Sequence, residues 1–126
     1  ERKKKRIGTT TLLAEIIRTS IPHRGLTRIH PATRAFQALR MAVNDELRNI
    51  ERAMGAAMEK LDPGGKMIAI SFHSLEDRIV KLFFQKSKRE GTLEVLTPKP
   101  LKPSNREIAV NPRARSAKLR AARKIS

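Results

Sequence analysis

Ser71, His73 and Ser74, followed by Asp77 and Arg78, put two hydroxyls, an imidazole, a carboxylate and a guanidinium directly after the apolar run Met67-Ile68-Ala69-Ile70. An imidazole at the end of a buried strand can move a proton near neutral pH, hold the edge of a base or contact phosphate. It can equally cap the helix that follows. Ser74 reads as that cap with Asp77 as its capping-box partner, which leaves Arg78 to meet an anion or an internal acid. A second polar set, His30, Arg34, Gln37, Arg40 and Asn44, recurs at helical spacing beside an apolar stripe. Such a ridge can bind an RNA backbone or a flipped nucleotide, or it can be an ordinary solvated face. Arg34 and Arg40 stand too far apart in angle to hold one phosphate without a bend. A third set, Asn111 to Arg120, is dense in arginine, whose forked donors suit phosphate, with Arg113 and Arg115 foremost. Four or five such cations on single-stranded RNA would give a log–log salt slope of about −3. A tail with general polyanion affinity is the other reading.

The elements that must position these residues follow from periodicity. Thr9-Thr10-Thr11 offers an N-cap for a short helix with Leu12, Leu13, Ile16 and Ile17 on one side, ended by Pro22. His23 to Ile29 reads as a loop turning at Gly25. His30-Pro31 opens a second helix. Phe36, Leu39, Val43, Leu47, Ile50, Met54, Ala57 and Leu61 then form one long apolar face, with a kink or break expected near Asn44-Asp45. Asp62-Pro63-Gly64-Gly65 is a turn. Lys66 to Phe72 is a strand whose continuous apolar run suits burial on both faces of a parallel sheet. The next helix starts at Ser74, buries Leu75, Ile79, Leu82 and Phe83, and ends around Lys86 to Arg89. Thr92 to Leu96 reads as a short strand. Pro98, Pro100 and Pro103 force an extended path. Ser104 to Val110 reads as a helical turn, and Arg113 to Lys124 is open between helix and strand.

Composition narrows the function. A chain of 126 residues suffices for one domain, but only 3% of it is aromatic and 32% is charged. The net charge of +16 attracts polyanions. It is concentrated in a run at Arg2 to Arg6 and in a stretch from Ile108 onward that carries six cations and no acid. Two acid-free basic blocks point to a nucleic-acid partner. The apolar residues beside them are too sparse for a membrane surface. With no cysteine, disulfides and cysteine-based zinc sites are excluded. No apolar run approaches spanning length and no apolar signal follows the basic amino end, so the cytoplasm is the expected location. There is no G-x-G arrangement, no P-loop and no histidine pair with metal-ligand spacing. These residues alone offer no complete enzyme.

Three segments, residues 30–47 (HPATRAFQALRMAVNDEL), 63–81 (PGGKMIAISFHSLEDRIVK) and 111–120 (NPRARSAKLR), closely resemble the RsmH (MraW) family in order and spacing. The resemblance runs from Thr9 across nearly the whole chain. It implies an S-adenosylmethionine-dependent methyltransferase that modifies the 4-amino group of a cytosine in 16S ribosomal RNA. The implied fold class is α/β, the carboxyl-terminal half of a Rossmann-like sheet plus the end of a helical insertion. Residues 1–43 correspond to the end of that substrate-binding insertion and 44–126 to the carboxyl-terminal part of the methyltransferase domain. Within the latter, 66–72 is a central strand, 74–86 a helix, and closing antiparallel strands follow 92, which favours strand over helix for 114–122.

The family's glycine-rich donor loop, ribose-binding acid and acidic segment near the methyl group belong upstream of Glu1. The chain therefore reads as a carboxyl-terminal fragment, inactive alone, with the donor held mainly by an amino-terminal half. Candidate substrate-side residues are His73 for chemistry and Arg34, Asn44, Arg78, Arg113 and Arg115 for RNA. Implied partners are 16S ribosomal RNA or the small ribosomal subunit, the amino-terminal half and a second copy in a homodimer, without a membrane. Two rival readings stay open: a non-enzymatic RNA-binding or ribosome-associated module, and a helical interaction domain using the 36–61 stripe.

Overall fold

The computed structural model describes residues 6–21 and 30–125. The expected loop at 23–29, the stop at Pro22 and the basic residues Arg2 to Lys5 lie outside the described residues. The chain divides into two compact units, Glu1–Asp45 and Glu46–Ser126.

In the first unit, helix α1 (Thr10–Ser20) is capped by Thr9, whose hydroxyl accepts the Leu12 N–H at 3.2 Å. Helix α2 spans Ala32–Asn44, and the His30 ring Nδ1 accepts the Ala32 N–H at 3.2 Å. Ala32 is buried. The long apolar stripe breaks at Asp45, a non-glycine residue with φ of 51°. Aspartate is among the few side chains that tolerate this left-handed conformation. The break changes which stripe residues are covered. Val43, expected on the buried face, is 82% exposed, and Leu39 is exposed as well.

The second unit runs α3 (Glu46–Lys60), β1 (Lys66–Ser71), α4 (Ser74–Arg89), β2 (Leu93–Val95), α5 (Asn105–Val110), a 3-10 turn (Pro112–Ser116) and β3 (Lys118–Lys124). The strands form one sheet in the order β1-β3-β2, with both pairings antiparallel. Ile70 faces Leu119 and Ser71 faces Lys118 across the β1–β3 ladder. The turn before β1 is tied to the far end of β3. The Gly64 N–H donates to the Lys124 carbonyl and the Lys124 N–H to the Gly65 carbonyl, each at 2.8 Å. Gly64 has a φ of 86°, which glycine adopts without a Cβ penalty. At Gly65 an added Cβ would meet the Asp62 carbonyl oxygen at 2.8 Å.

The core joins Met54 of α3, Met67 of β1, Val80 and Phe84 of α4, Leu93 of β2 and Ala122 of β3, with Ile50, Met58 and Leu61 packed around it. Phe84 and Leu93 are fully buried. Each such side chain contributes about 1.5–3 kcal/mol relative to exposure.

Four expectations need correction. First, β1 is not covered on both faces. Its alternation puts Met67, Ala69 and Ser71 on the covered side and leaves Ile68 61% and Ile70 58% exposed. The described ladder is antiparallel, with β1 at its edge.

Second, the buried face of α4 is Asp77, Val80, Phe84 and Ser87, whereas Leu75 and Leu82 are exposed. The helix is turned so that Asp77 faces cations on β3.

Third, the cap of α4 is His73, not Ser74, and its capping-box partner is Glu76, because Asp77 is committed to Arg120. Fourth, residues 114–116 are not strand. Pro112 lacks an N–H and sets the first φ of a 3-10 turn, and β3 starts only at Lys118.

Candidate functional site

Position along the sheet decides what the Ser71–Ser74 segment can do. It leaves the carboxyl end of β1, opposite the start of β3. Helix α4 begins there because His73 has extended backbone (φ −137°, ψ 166°) and its ring supplies the acceptor that a free first-turn amide needs. His73 Nδ1 accepts the Glu76 N–H at 3.3 Å. Glu76 Oε2 reaches back to accept the Phe72 N–H at 2.8 Å and the His73 N–H at 3.2 Å.

That bonding fixes the ring's chemistry. A neutral imidazole has one accepting and one donating nitrogen. With Nδ1 accepting, Nε2 carries the proton, an assignment made from the hydrogen-bond network. Nε2 is buried and 3.2 Å from Glu76 Oε1, within ion-pair reach, yet no acceptor is aligned for a hydrogen bond. One carboxylate oxygen each of Glu46 and Glu76 and one ring nitrogen of His73 lie within 4.8 Å of one another. A Glu-His-Glu set at this spacing has the composition of a metal site. Here the histidine presents an N–H rather than a lone pair, so metal binding would cost the cap of α4. The arrangement as it stands sets a proton-bearing nitrogen 3.2 Å from the Glu76 carboxylate.

Behind this edge lies a buried ion cluster. Arg120 donates from Nε to Asp77 Oδ1 at 2.7 Å and from a terminal nitrogen to Oδ2 at 3.2 Å, and Lys118 adds a contact to Oδ2 at 3.4 Å. The hydrogen bond from Arg120 holds the Asp77 carboxyl below its usual range, against the opposing effect of burial, with further help from the charges of Arg120 and Lys118. The sequence reading missed Glu46, Glu76 and Arg120. For Glu76 a signal was present: His73-x-x-Glu76 has the spacing of a capping box, with imidazole in place of hydroxyl.

The other predicted residues are spread over both units. Arg34 and Asn44 lie exposed on α2 in the first unit. Arg78 is exposed on α4. Arg113 and Arg115 are exposed in the 3-10 turn, on either side of buried Ala114. In the second unit a cavity of about 140 Å³ is lined by Ile70, Leu101, Pro103, Ala117 and Leu119, with Lys102 and Glu107 as its charged members. It is well below the roughly 300–1,000 Å³ of a ligand pocket. Among the described residues, no helix is long and apolar enough to cross a membrane.

A sequence profile of the MraW methylase family matches residues 1–125. The chain is 54% identical over 125 residues to a ribosomal RNA small subunit methyltransferase H of Sulfurihydrogenibium sp. (strain YO3AOP1), covering 98% of this chain and 43% of that protein. A protein of the same name from Wolbachia pipientis subsp. Culex pipiens (strain wPip) is 53% identical over 128 residues, covering 99% of this chain and 43% of the relative. For one from Synechococcus sp. (strain JA-2-3B'a(2-13)) the figures are 54% over 123 residues, 95% of this chain and 37% of the relative. The chain thus spans less than half the length of these curated relatives. With residues 1–125 matched by the family profile and half the residues shared with each relative, the chain belongs to the MraW methylase family.

Proposed function

We propose that this chain is the carboxyl-terminal part of an S-adenosylmethionine-dependent methyltransferase acting on the 4-amino group of a cytosine in 16S ribosomal RNA. The observation that carries this reading is the match of 98% of the chain, at 54% identity, to a protein named for small-subunit ribosomal RNA methylation. Two structural features support a role as part of a larger body. The strand β1 stands at the edge of its sheet, and its outer face bears Ile68, Ile70 and Phe72 in the open. An apolar sheet face of that kind fits cover by further polypeptide of the same protein.

In this reading the methyl-donor pocket lies mainly outside the described residues. No glycine stands between β1 and α4, where a cradle for a nucleoside would need close backbone approach. Gly64 and Gly91, both at positive φ, serve the turn before β1 and the one after α4. In this reading the donor, which supplies the methyl group when bound, is held mainly by residues outside this chain.

The 4-amino nitrogen of cytosine is a weak nucleophile because its lone pair is delocalised into the ring. It must be held in line, out of its stack, with an acceptor for its proton. In this reading the Ser71–His73 edge forms one wall of that site. His73 acts there as a positioning residue, because its accepting nitrogen is spent on the helix cap. Arg34, Asn44, Arg78, Arg113 and Arg115 face the RNA. The cytoplasm is the place of such a reaction.

The test pairs this chain with the intact protein. The intact protein incorporates methyl groups into ribosomal RNA at a cytosine amino group, mapped by mass spectrometry, and this chain alone does not bind S-adenosylmethionine by calorimetry. Micromolar binding by this chain would sink the assignment of the donor pocket. A protein that binds ribosomal RNA but never methylates it would be a non-enzymatic module instead.

His73 has its own discriminating pair. His73→Ala loses about 1 kcal/mol of stability with the cap, and turnover falls with it. His73→Asn restores a capping acceptor without an imidazole. Rescue of turnover by asparagine identifies a positioning residue, and failure of rescue with normal stability identifies a chemical role for the ring.

A further inference from the structure

The segment Pro98–Ser116 carries Lys99, Lys102, Arg106, Arg113 and Arg115 against the single acid Glu107. Among the described residues, none of the five cations has a side-chain hydrogen bond or ion pair. All five are exposed. Unpaired surface cations are common, but here they sit on backbone held in place. Pro98, Pro100 and Pro103 restrict the chain, and Ser104 caps α5 by accepting the Glu107 N–H at 3.1 Å.

The segment is also anchored at both ends to the first half of β3, the central strand. Thr97 bonds to Ala121, and Leu101 bridges Leu119 through two backbone hydrogen bonds of 2.9 Å. Its far end runs through Ala117 into the start of β3. Leu119 and Lys118 are the partners of Ile70 and Ser71, so the basic segment is rooted where β1 ends and His73 follows. The opposite end of β3 is also flanked by cations. Lys88 and Arg89 end α4 there, near Thr92 and the last residues of β3.

We infer that residues 99–115 form a phosphate track for single-stranded RNA, which leads the strand to the His73 edge. This deepens the methyltransferase reading and rests on it for the identity of the RNA. The chemistry is that of a polyanion meeting exposed cations on an anchored backbone. Contacts of this kind release counterions, so each lost contact flattens the log–log salt dependence by about 0.7 for a single strand. The five cations together account for a slope of roughly −3.5. Glu107, standing among them, opposes binding.

The experiment measures the affinity of the intact protein for a labelled single-stranded RNA of mixed sequence, across a salt series, alongside its rate of ribosomal RNA methylation. Lys99→Gln/Lys102→Gln/Arg106→Gln flattens the slope by about 2 and Arg113→Gln/Arg115→Gln by about 1.4. Both lower the methylation rate at limiting RNA. Glu107→Gln tightens binding. The control Lys88→Gln/Arg89→Gln removes the same charge as the second variant from the other end of β3 and leaves the slope within about 0.3 of the unmodified protein.

Equal flattening by the control would reduce the track to net charge and overturn it. So would an unchanged slope in both track variants, with circular dichroism showing them folded. If the unmodified protein methylates no ribosomal RNA, the enzyme reading fails. The slopes still decide whether the track exists.

Discussion

Two neighbouring stretches of this chain are equally basic and use their charge in opposite ways. The strand β3 carries Lys118, Arg120, Arg123 and Lys124 in seven residues, and every one is paired with another group of the protein. Lys118 and Arg120 meet Asp77, Arg123 meets Glu94, and Lys124 donates to the carbonyls of Met58 and Leu61. The segment just before it, 98–116, carries five cations, and none is paired among the described residues. Net charge alone would assign both stretches to a polyanion. The partners separate them: a cation that already neutralises a buried carboxylate or caps a helix is not available to phosphate. The useful count for recognition is therefore of unpaired cations on an anchored surface.

The strongest way to break this comparison is to remove the acid that holds β3's charge inside. The Asp77 and Arg120 side chains are only 12% and 8% exposed. Asp77→Ala strands a buried guanidinium and costs about 3–5 kcal/mol, a large part of the stability of a small domain. Replacing both partners, as in Asp77→Leu with Arg120→Met, recovers much of that loss, because the desolvation of two charges goes with the pair. Chemical denaturation of the three proteins measures both effects. Equal losses in the single and double variants would mean that the cluster is a net source of stability.

Asp77 also sets a pH dependence. Its folded pKa lies below the unfolded value of about 3.9, so its contribution is complete above that value. It fades as pH falls through the lower, folded pKa. Asp77→Asn flattens the stability profile in that acid window and leaves the shape above pH 5 unchanged.

The middle case is Lys124. Its ammonium donates to the Leu61 carbonyl at 2.7 Å and the Met58 carbonyl at 3.1 Å, just where α3 ends. Those carbonyls have no partner inside the helix, and a cation there also complements the helix dipole. Lys124→Met keeps most of the aliphatic stem and removes the donor, at a cost of about 1.5–3 kcal/mol by denaturant titration. A cost below 0.5 kcal/mol would put Lys124 with the unpaired cations of the preceding segment.

Much of this arrangement was legible in the sequence, and what was not has a common cause. The turn at 62–65, the break near Asn44-Asp45 and the strand beginning at Lys66 are announced by local chemistry: proline and glycine, side chains that compete with the backbone, and an unbroken apolar run. The site was harder to read. Asp77 looked like a helix cap because Ser74-x-x-Asp77 has that spacing, and only its long-range partner on β3, 43 residues away, shows otherwise. His73 was visible as a polar residue at a strand end, but imidazole is not among the usual caps, so its bond to the Glu76 amide was hidden. The bare outer face of β1 could not be foreseen either. An apolar run marks residues that are to be covered and does not say by what.

The finest test is the exposed pair at the other end of β3. Glu94 and Arg123 face each other across the β2–β3 ladder, with side chains 47% and 50% exposed. Arg123 Nε donates to Glu94 Oε2 at 2.9 Å. An exposed pair gains little Coulomb energy in water and costs side-chain freedom to hold, so Glu94→Gln lowers stability by about 0–1 kcal/mol. Because the Debye length falls to about 3 Å at 1 M salt, the difference from the unmodified protein vanishes there. Freed of its partner, Arg123 joins the cations open to a polyanion, yet it sits at the far end of β3 from the Leu101–Leu119 bridge. Glu94→Gln should therefore leave the RNA salt slope unchanged while Glu107→Gln tightens binding. A matching gain from both would show that position along β3 does not matter, and that anchoring at the His73 edge is not what distinguishes the two stretches.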